Sequence, residues 1–179
     1  IMMSQNRQQQ IDRKEAADTR VDLGLEELDY LCGARMFLTN GTSLCASPSR
    51  ESTYRALERA RAAGLTVVLD VDYRAMSWRS AADAGLAVRL ALPSVDILIG
   101  NEEEFCLVAG CENTVAAIEF LRARNVPVLV SKLVARGTQL FTSSEEAFLA
   151  PYPIEVVSTI GAGDGFASGF LYGVLKGMS

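Results

Sequence analysis

Residues 65–71, 95–100 and 126–131 are three short runs in which apolar, largely β-branched residues follow one another almost without a break: Leu-Thr-Val-Val-Leu-Asp-Val, Val-Asp-Ile-Leu-Ile-Gly and Val-Pro-Val-Leu-Val-Ser. A strand with one wet face alternates apolar and polar residues. A strand that is apolar at successive positions is covered on both faces, the signature of a parallel sheet between helices. The intervening segments fit that frame. Residues 81–91, 102–109 and 114–124 carry helical spacing, and 49–63 repeats it with Leu57, Ala60 and Ala63 before Gly64, a C-cap. A shorter helical pattern covers 25–31, and the apolar run 35–39 ends in the turn Asn40-Gly41-Thr42. Strands alternating with helices through short connections predict an α/β fold with a mostly parallel sheet, and 179 residues suit one domain.

Residues 137–141 and 147–150 read as a hairpin, 154–158 as a last strand and 163–176 as a final helix. That helix has an apolar face of Phe166, Phe170, Leu171, Val174 and Leu175. Gly165, Gly169, Gly173 and Gly177 recur at every fourth position, a spacing expected to let it pack closely on a neighbour. Residues 1–24 are polar and glutamine-rich without apolar period, a polar arm or surface helix.

In a parallel α/β sheet, ligands bind beyond the carboxyl ends of the strands. Three polar clusters fall there: Asp70-Val-Asp72-Tyr73-Arg74 with Trp78, Gly100-Asn101-Glu102-Glu103-Glu104, and Thr159-Ile160-Gly161-Ala162-Gly163-Asp164. The last reads as a glycine-rich turn opening a helix, whose first amides lack intrahelical partners and suit an anion. Asp164 in the first turn adds a carboxylate beside that anion. A plain loop with a capping Asp fits the same four residues. Phe166 stands where a third dinucleotide-binding glycine would fall, and no G-x-x-x-x-G-K-[ST] occurs.

The chain has no histidine, which excludes Ser-His and Cys-His nucleophiles and leaves a carboxylate, lysine or tyrosine as general base. Cysteines 32, 45, 106 and 111 form no C-x-x-C pair and are expected to be free, reduced and mostly buried, as in a cytoplasmic protein. A net charge of −5 without a basic stripe argues against nucleic acid and anionic membranes as partners. The longest strongly apolar run, 126–130, is too short to span a bilayer and no secretory apolar region opens the chain, so a soluble protein is expected.

Together the three clusters resemble the ribokinase-like (PfkB) family of carbohydrate kinases. The family's D-T-x-G-A-G-D is matched by Thr159 to Asp164, with Ser158 in place of the first Asp. Its N-x-x-E is matched by Asn101 and Glu104, and D-x-[ND]-x-R-x-x-x-W by Asp70, Asp72, Arg74 and Trp78. The third motif is similar to the branch that phosphorylates keto-deoxy sugar acids, 5-dehydro-2-deoxygluconate or 2-keto-3-deoxygluconate, and the Asp72-Tyr73-Arg74 wording is nearer the former.

The resemblance implies a three-layer α/β/α sandwich and ATP-dependent phosphoryl transfer to a sugar hydroxyl. Asp164 would be the base, and the backbone of Gly161, Ala162 and Gly163 the anion hole. Asn101 and Glu104 would orient Mg²⁺, partly through water; taken without the other motifs, they read as a capping Asn before a solvated acidic helix turn. Gly137 and Thr159 would lie on the nucleotide side. Arg74 would meet a phosphate or substrate carboxylate, or pair with Asp70 or Asp72; Lys132 would approach a phosphate or be an ordinary surface lysine. Trp78 reads as packing. A monovalent cation such as K⁺ is a further candidate cofactor, and a homodimer a candidate assembly.

The sequence also departs from the family. It resembles only the second half of such kinases, without the N-terminal sugar-binding part, the lid and the last helices, so little sugar kinase activity is expected of these 179 residues alone. Val134 stands where the family has the first glycine of a G-x-x-G turn and is expected to crowd ATP. Those departures keep a non-catalytic nucleotide-binding or assembly fragment as the alternative, beside kinases for other sugars.

Overall fold

The computed structural model describes residues 23–153, 155 and 159–178. The polar arm expected over 1–24 and the strand expected over 154–158 fall almost wholly outside the described residues. The elements follow in the order α1 (Leu25–Leu31), β1 (Met36–Asn40), α2 (Ser49–Ala62), β2 (Thr66–Asp70), α3 (Ala81–Ala91), β3 (Ile97–Asn101), α4 (Glu102–Ala109), α5 (Thr114–Arg122), β4 (Val128–Lys132), β5 (Thr138–Phe141), β6 (Glu146–Leu149) and α6 (Ala162–Lys176). Each expected segment in this range forms its element, with ends shifted by one or two residues.

The six strands lie side by side in chain order. β1 to β4 are parallel, and β5 and β6 return antiparallel as the expected hairpin. Crossovers between parallel strands are right-handed, so a sheet that grows in one direction receives all its crossover helices on one face. That face carries Val67, Leu69, Leu98 and Leu129, packed with Leu57 of α2, Val88 of α3, Phe105 of α4 and Leu121 of α5. The alternate residues Val68, Ile97, Ile99 and Val130 turn to the other face and meet Ala167 and Leu171 of α6. Adjacent residues of one strand therefore serve two cores, the reason these runs are apolar without a break. Trp78 belongs to the first core, as expected of a packing residue.

Among the described residues the second face is only partly covered. Leu38 of β1 is 48% exposed, and Val174 and Leu175 of α6 are exposed as well. The glycines of α6 correct a sequence expectation: a Cβ placed on Gly165, Gly169, Gly173 or Gly177 would meet nothing within 4 Å. The helix packs through Ala167 and Leu171 with half-buried Phe166 and Phe170, so the glycine row is no packing groove among the described residues. The cysteines correct another, since all four are free but half-buried rather than buried.

A real close approach lies elsewhere. A Cβ on Gly85 of α3 would sit 2.3 Å from the carbonyl oxygen of Leu107 on α4. Gly85→Ala gains about 1 kcal/mol of helix propensity yet forces two backbones apart, so it is expected to lower stability by about 1–3 kcal/mol, measured by urea unfolding.

Candidate active site

The parallel register sets Asn40 beside Asp70 and Asn101 beside Lys132, the second pair two residues farther along because Asp70 pairs with Ile99, so β1 to β4 end in polar residues along one staggered edge. Above that edge lies a cavity of about 670 Å³. Its walls come from the end of β1 and the following turn (Asn40, Ser43), the loop after β2 (Asp72, Arg74), the end of β4 (Lys132) and the start of α6 (Thr159 to Gly161, Gly163, Asp164). Asn40 and Ser43 were not singled out in the sequence; the signal was the turn at a strand end. The turn is built by Asn40 itself, whose Oδ1 accepts from the Ser43 N–H at 3.2 Å.

The opening of α6 takes the expected form with one refinement. Gly161 is the N-cap at φ +75, a left-handed conformation that suits glycine, and no side chain caps the helix. The Ala162 N–H donates to the Thr159 carbonyl at 3.2 Å, and Ala162 does not line the cavity, whereas Gly161 and Gly163 do. The exposed Asp164 carboxylate sits in the first turn, near the positive end of the helix dipole. Among the described residues it has no hydrogen-bond or ion-pair partner.

The other two carboxylates of the cavity are occupied. Lys132 reaches from β4 across the end of β3 to Asp70 of β2, its Nζ donating to Oδ1 at 2.9 Å and Oδ2 at 3.1 Å. With only 21% and 13% of the two side chains exposed, the pair is largely withdrawn from water, and the reading of Lys132 as an ordinary surface lysine is corrected. Burial pushes the Asp70 carboxyl above its ordinary range, while the Lys132 hydrogen bond and charge pull it back. Asp72, in a left-handed conformation at φ 36, accepts from the Thr42 hydroxyl at 3.2 Å and pairs with Arg74 at 3.3 Å. Of the two partners open to it in the sequence, Arg74 therefore takes Asp72, its side chain 66% exposed in the cavity wall.

Asn101 and Glu104 lie behind this wall. Asn101 Oδ1 accepts from the Glu104 N–H at 2.8 Å and Glu104 Oε2 accepts from the Asn101 N–H at 2.7 Å, a complete capping box at the start of α4. The other oxygen, Oε1, accepts from the Tyr73 N–H at 2.9 Å. One buried carboxylate thus fastens the loop after β2 to the helix after β3, a link with no signature in the sequence because its two ends are 31 residues apart. Among the described residues no three His, Cys, Asp or Glu side chains gather as metal ligands.

The turn after β4 explains Gly137 structurally. At φ +112, its Cβ would lie 2.2 Å from the Leu149 carbonyl oxygen on β6, so only glycine fits. Val134, three residues earlier, holds φ +54, a conformation costly for a β-branched side chain, and stands 84% exposed.

The family description "pfkB family carbohydrate kinase" matches residues 1–179. Proteins named 5-dehydro-2-deoxygluconokinase from Geobacillus kaustophilus and Photobacterium profundum are 33% identical over 169 residues and 36% over 176. The matches cover 92% and 93% of this chain but 50% and 52% of those proteins, so the chain spans about half the length of the curated relatives it matches. The crystal structure of aminoimidazole riboside kinase from Salmonella enterica, complexed with aminoimidazole riboside and an ATP analog, superposes with a TM-score of 0.70 at 27% identity, over 76% of this chain and 46% of that one.

Two outcomes follow from the geometry. Lys132→Met leaves Asp70 buried without its cation, and the Asp70 pKa climbs further. A carboxyl with a higher pKa folded than unfolded costs most above its folded pKa and nothing once both states are protonated. The variant is expected to lose up to about 3 kcal/mol at about pH 8 and distinctly less at about pH 4, compared by urea titration. Val134→Gly is expected to raise stability by about 0.5–1 kcal/mol, since relief of the left-handed valine exceeds the entropy that glycine adds to the unfolded chain.

Proposed function

The chain belongs to the pfkB family of carbohydrate kinases, and from that premise we propose that its cavity transfers the γ-phosphoryl group of ATP to a hydroxyl of a keto-deoxy sugar acid. The best candidate is 5-dehydro-2-deoxygluconate, after which the relatives are named. The observation that carries the reading is Asp164: of the three cavity carboxylates it alone has no partner among the described residues, and it stands at the helix start where phosphate would lie.

In this reading Asp164 accepts the proton of the acceptor hydroxyl as its oxygen attacks the γ-phosphorus, and the bond to the bridging oxygen breaks to release ADP. Backbone N–H groups of Gly161 and Gly163 face the charge that develops on the transferred group, and Ala162 joins them only by giving up the Thr159 carbonyl. Arg74 is placed to meet the substrate carboxylate, its planar fork being matched to such a group. Lys132, held by Asp70, offers its remaining donor to phosphate. Gly137 and Thr159 lie on the nucleotide side.

The lining fits a magnesium nucleotide rather than a bare one. Three carboxylates against two cations would repel an unescorted triphosphate. Mg²⁺ when bound supplies charge neutralisation and needs few protein ligands, because it keeps much of its water. Asn101 and Glu104 would hold it through water, both Glu104 oxygens already accepting backbone N–H bonds. A monovalent cation such as K⁺, a cytoplasmic location and a homodimer belong to the same reading; among the described residues no helix is long and apolar enough to cross a membrane. 2-Keto-3-deoxygluconate and other sugars are the competing acceptors.

The test is ADP release from Mg·ATP with each acceptor, in a chain of the relatives' full length, together with calorimetric titration of Mg·ATP. Asp164→Asn is expected to lower turnover by roughly 10²–10⁴-fold with nucleotide affinity retained. Undiminished turnover removes Asp164 from the role of base. Absence of Mg·ATP binding in the unsubstituted protein removes the kinase reading itself.

A further inference from the structure

The far end of α4 carries a chemistry that phosphoryl transfer does not use. Gly110 takes φ +73 and stops the helix. The Gly110 and Cys111 N–H groups both donate to the Cys106 carbonyl, at 2.8 Å and 3.1 Å. The second of these bonds is the six-to-one closure that folds a chain back over its last helical turn and sets the two residues it joins side by side. That position commonly holds an apolar contact; here both residues are cysteines.

Both cysteines are half-buried and neither is in a disulfide. Cys106 Sγ lies 3.9 Å from the Thr114 hydroxyl, and the Cys111 thiol donates to the Asn113 carbonyl at 3.4 Å. Burial pushes the Cys106 thiol above its ordinary pKa, the Thr114 hydroxyl pulls it partly back, and the Cys111 thiol adds to the rise. The other two cysteines lie apart, Cys32 at the end of α1 and Cys45 after the turn that follows β1.

We propose that Cys106 and Cys111 are an oxidation site, a preset thiol pair that a hydroperoxide closes to an intrachain disulfide. One thiolate attacks the terminal peroxide oxygen, giving a sulfenic acid and releasing the alcohol, or water when the oxidant is hydrogen peroxide. The second thiol then attacks the sulfenic sulfur and expels water. In total two S–H bonds and one O–O bond break, one S–S bond forms, the sulfurs lose two electrons and the peroxide gains them. The backbone already holds the closed turn, so the reaction needs no opening of the fold. The inference stands on the turn geometry alone and is independent of the kinase reading.

Trypsin cleavage at Arg89 and Arg122 isolates one peptide that contains Cys106 and Cys111 and no other cysteine. The native 179-residue chain is treated with hydrogen peroxide, blocked with iodoacetamide and digested. The expected result is this peptide two hydrogens lighter and without alkyl groups, formed to an extent independent of protein concentration and with a ratio of disulfide to sulfinic acid at least roughly tenfold higher than in denaturant, where the turn is lost. Cys32 and Cys45 should still take up alkyl groups, and Cys111→Ser should abolish the mass loss. Two alkyl groups on the peptide, independent oxidation of the two sulfurs to sulfinic acids, a link to Cys32 or Cys45, or an equal ratio of disulfide to sulfinic acid in native and denatured chains would each overturn the proposal.

Discussion

Right-handed crossovers in a sheet that grows in one direction govern most of what this chain builds. They send α2 to α5 to one face, leave the opposite face to α6, and bring the ends of β1 to β4 to one edge. The strands must then be apolar on both sides, since each side chain alternately meets the crossover helices or α6. They must turn polar at their last residue, where the sheet stops and water or ligand begins. Asn40, Asp70, Asn101 and Lys132 are that polar rim. The candidate site is the edge at which the four parallel strands run out, β3 and β4 two residues beyond β1 and β2.

The rim is arranged by charge. Asp70 and Lys132 face each other across the end of β3, where either alone would be costly at its burial. Asp72 is held by Thr42 and Arg74, and the Glu104 carboxylate by the N–H groups of Asn101 and Tyr73. These contacts tie the loop after β2 to the turn after β1, to β4 and to α4. Against them the Asp164 carboxylate, unpartnered among the described residues, is distinct: the surrounding groups are neutralised in place, and the one left over faces the cavity from the first turn of α6.

Local chemistry written within a few residues was legible beforehand. The capping residue Asn101, the glycine at 64 that closes a helix, the hairpin after β4 and the strand runs are all set by neighbours in the chain. The Gly-Ala-Gly-Asp helix start was legible for the same reason. What pattern misjudged was long-range. Spacing in α6 suggested a glycine contact, but spacing only says which residues share a face, and that face meets no described neighbour. Lys132 looked like a surface residue because nothing nearby in sequence answers its charge; its partner is 62 residues away.

The order of residues by itself set the fold class, the element boundaries to within a residue or two, and the identity of the polar groups at the strand ends. Periodicity and turn chemistry act over a few residues, and the sequence carries them complete. Tertiary contact decided which of those groups are already used: that Arg74 holds Asp72, that Lys132 holds Asp70, and that Glu104 is committed to Asn101 and Tyr73. Hydrogen bonds and ion pairs act over about 3 Å whatever the distance along the chain, so the pairing of these groups exists only once the strands and helices are packed.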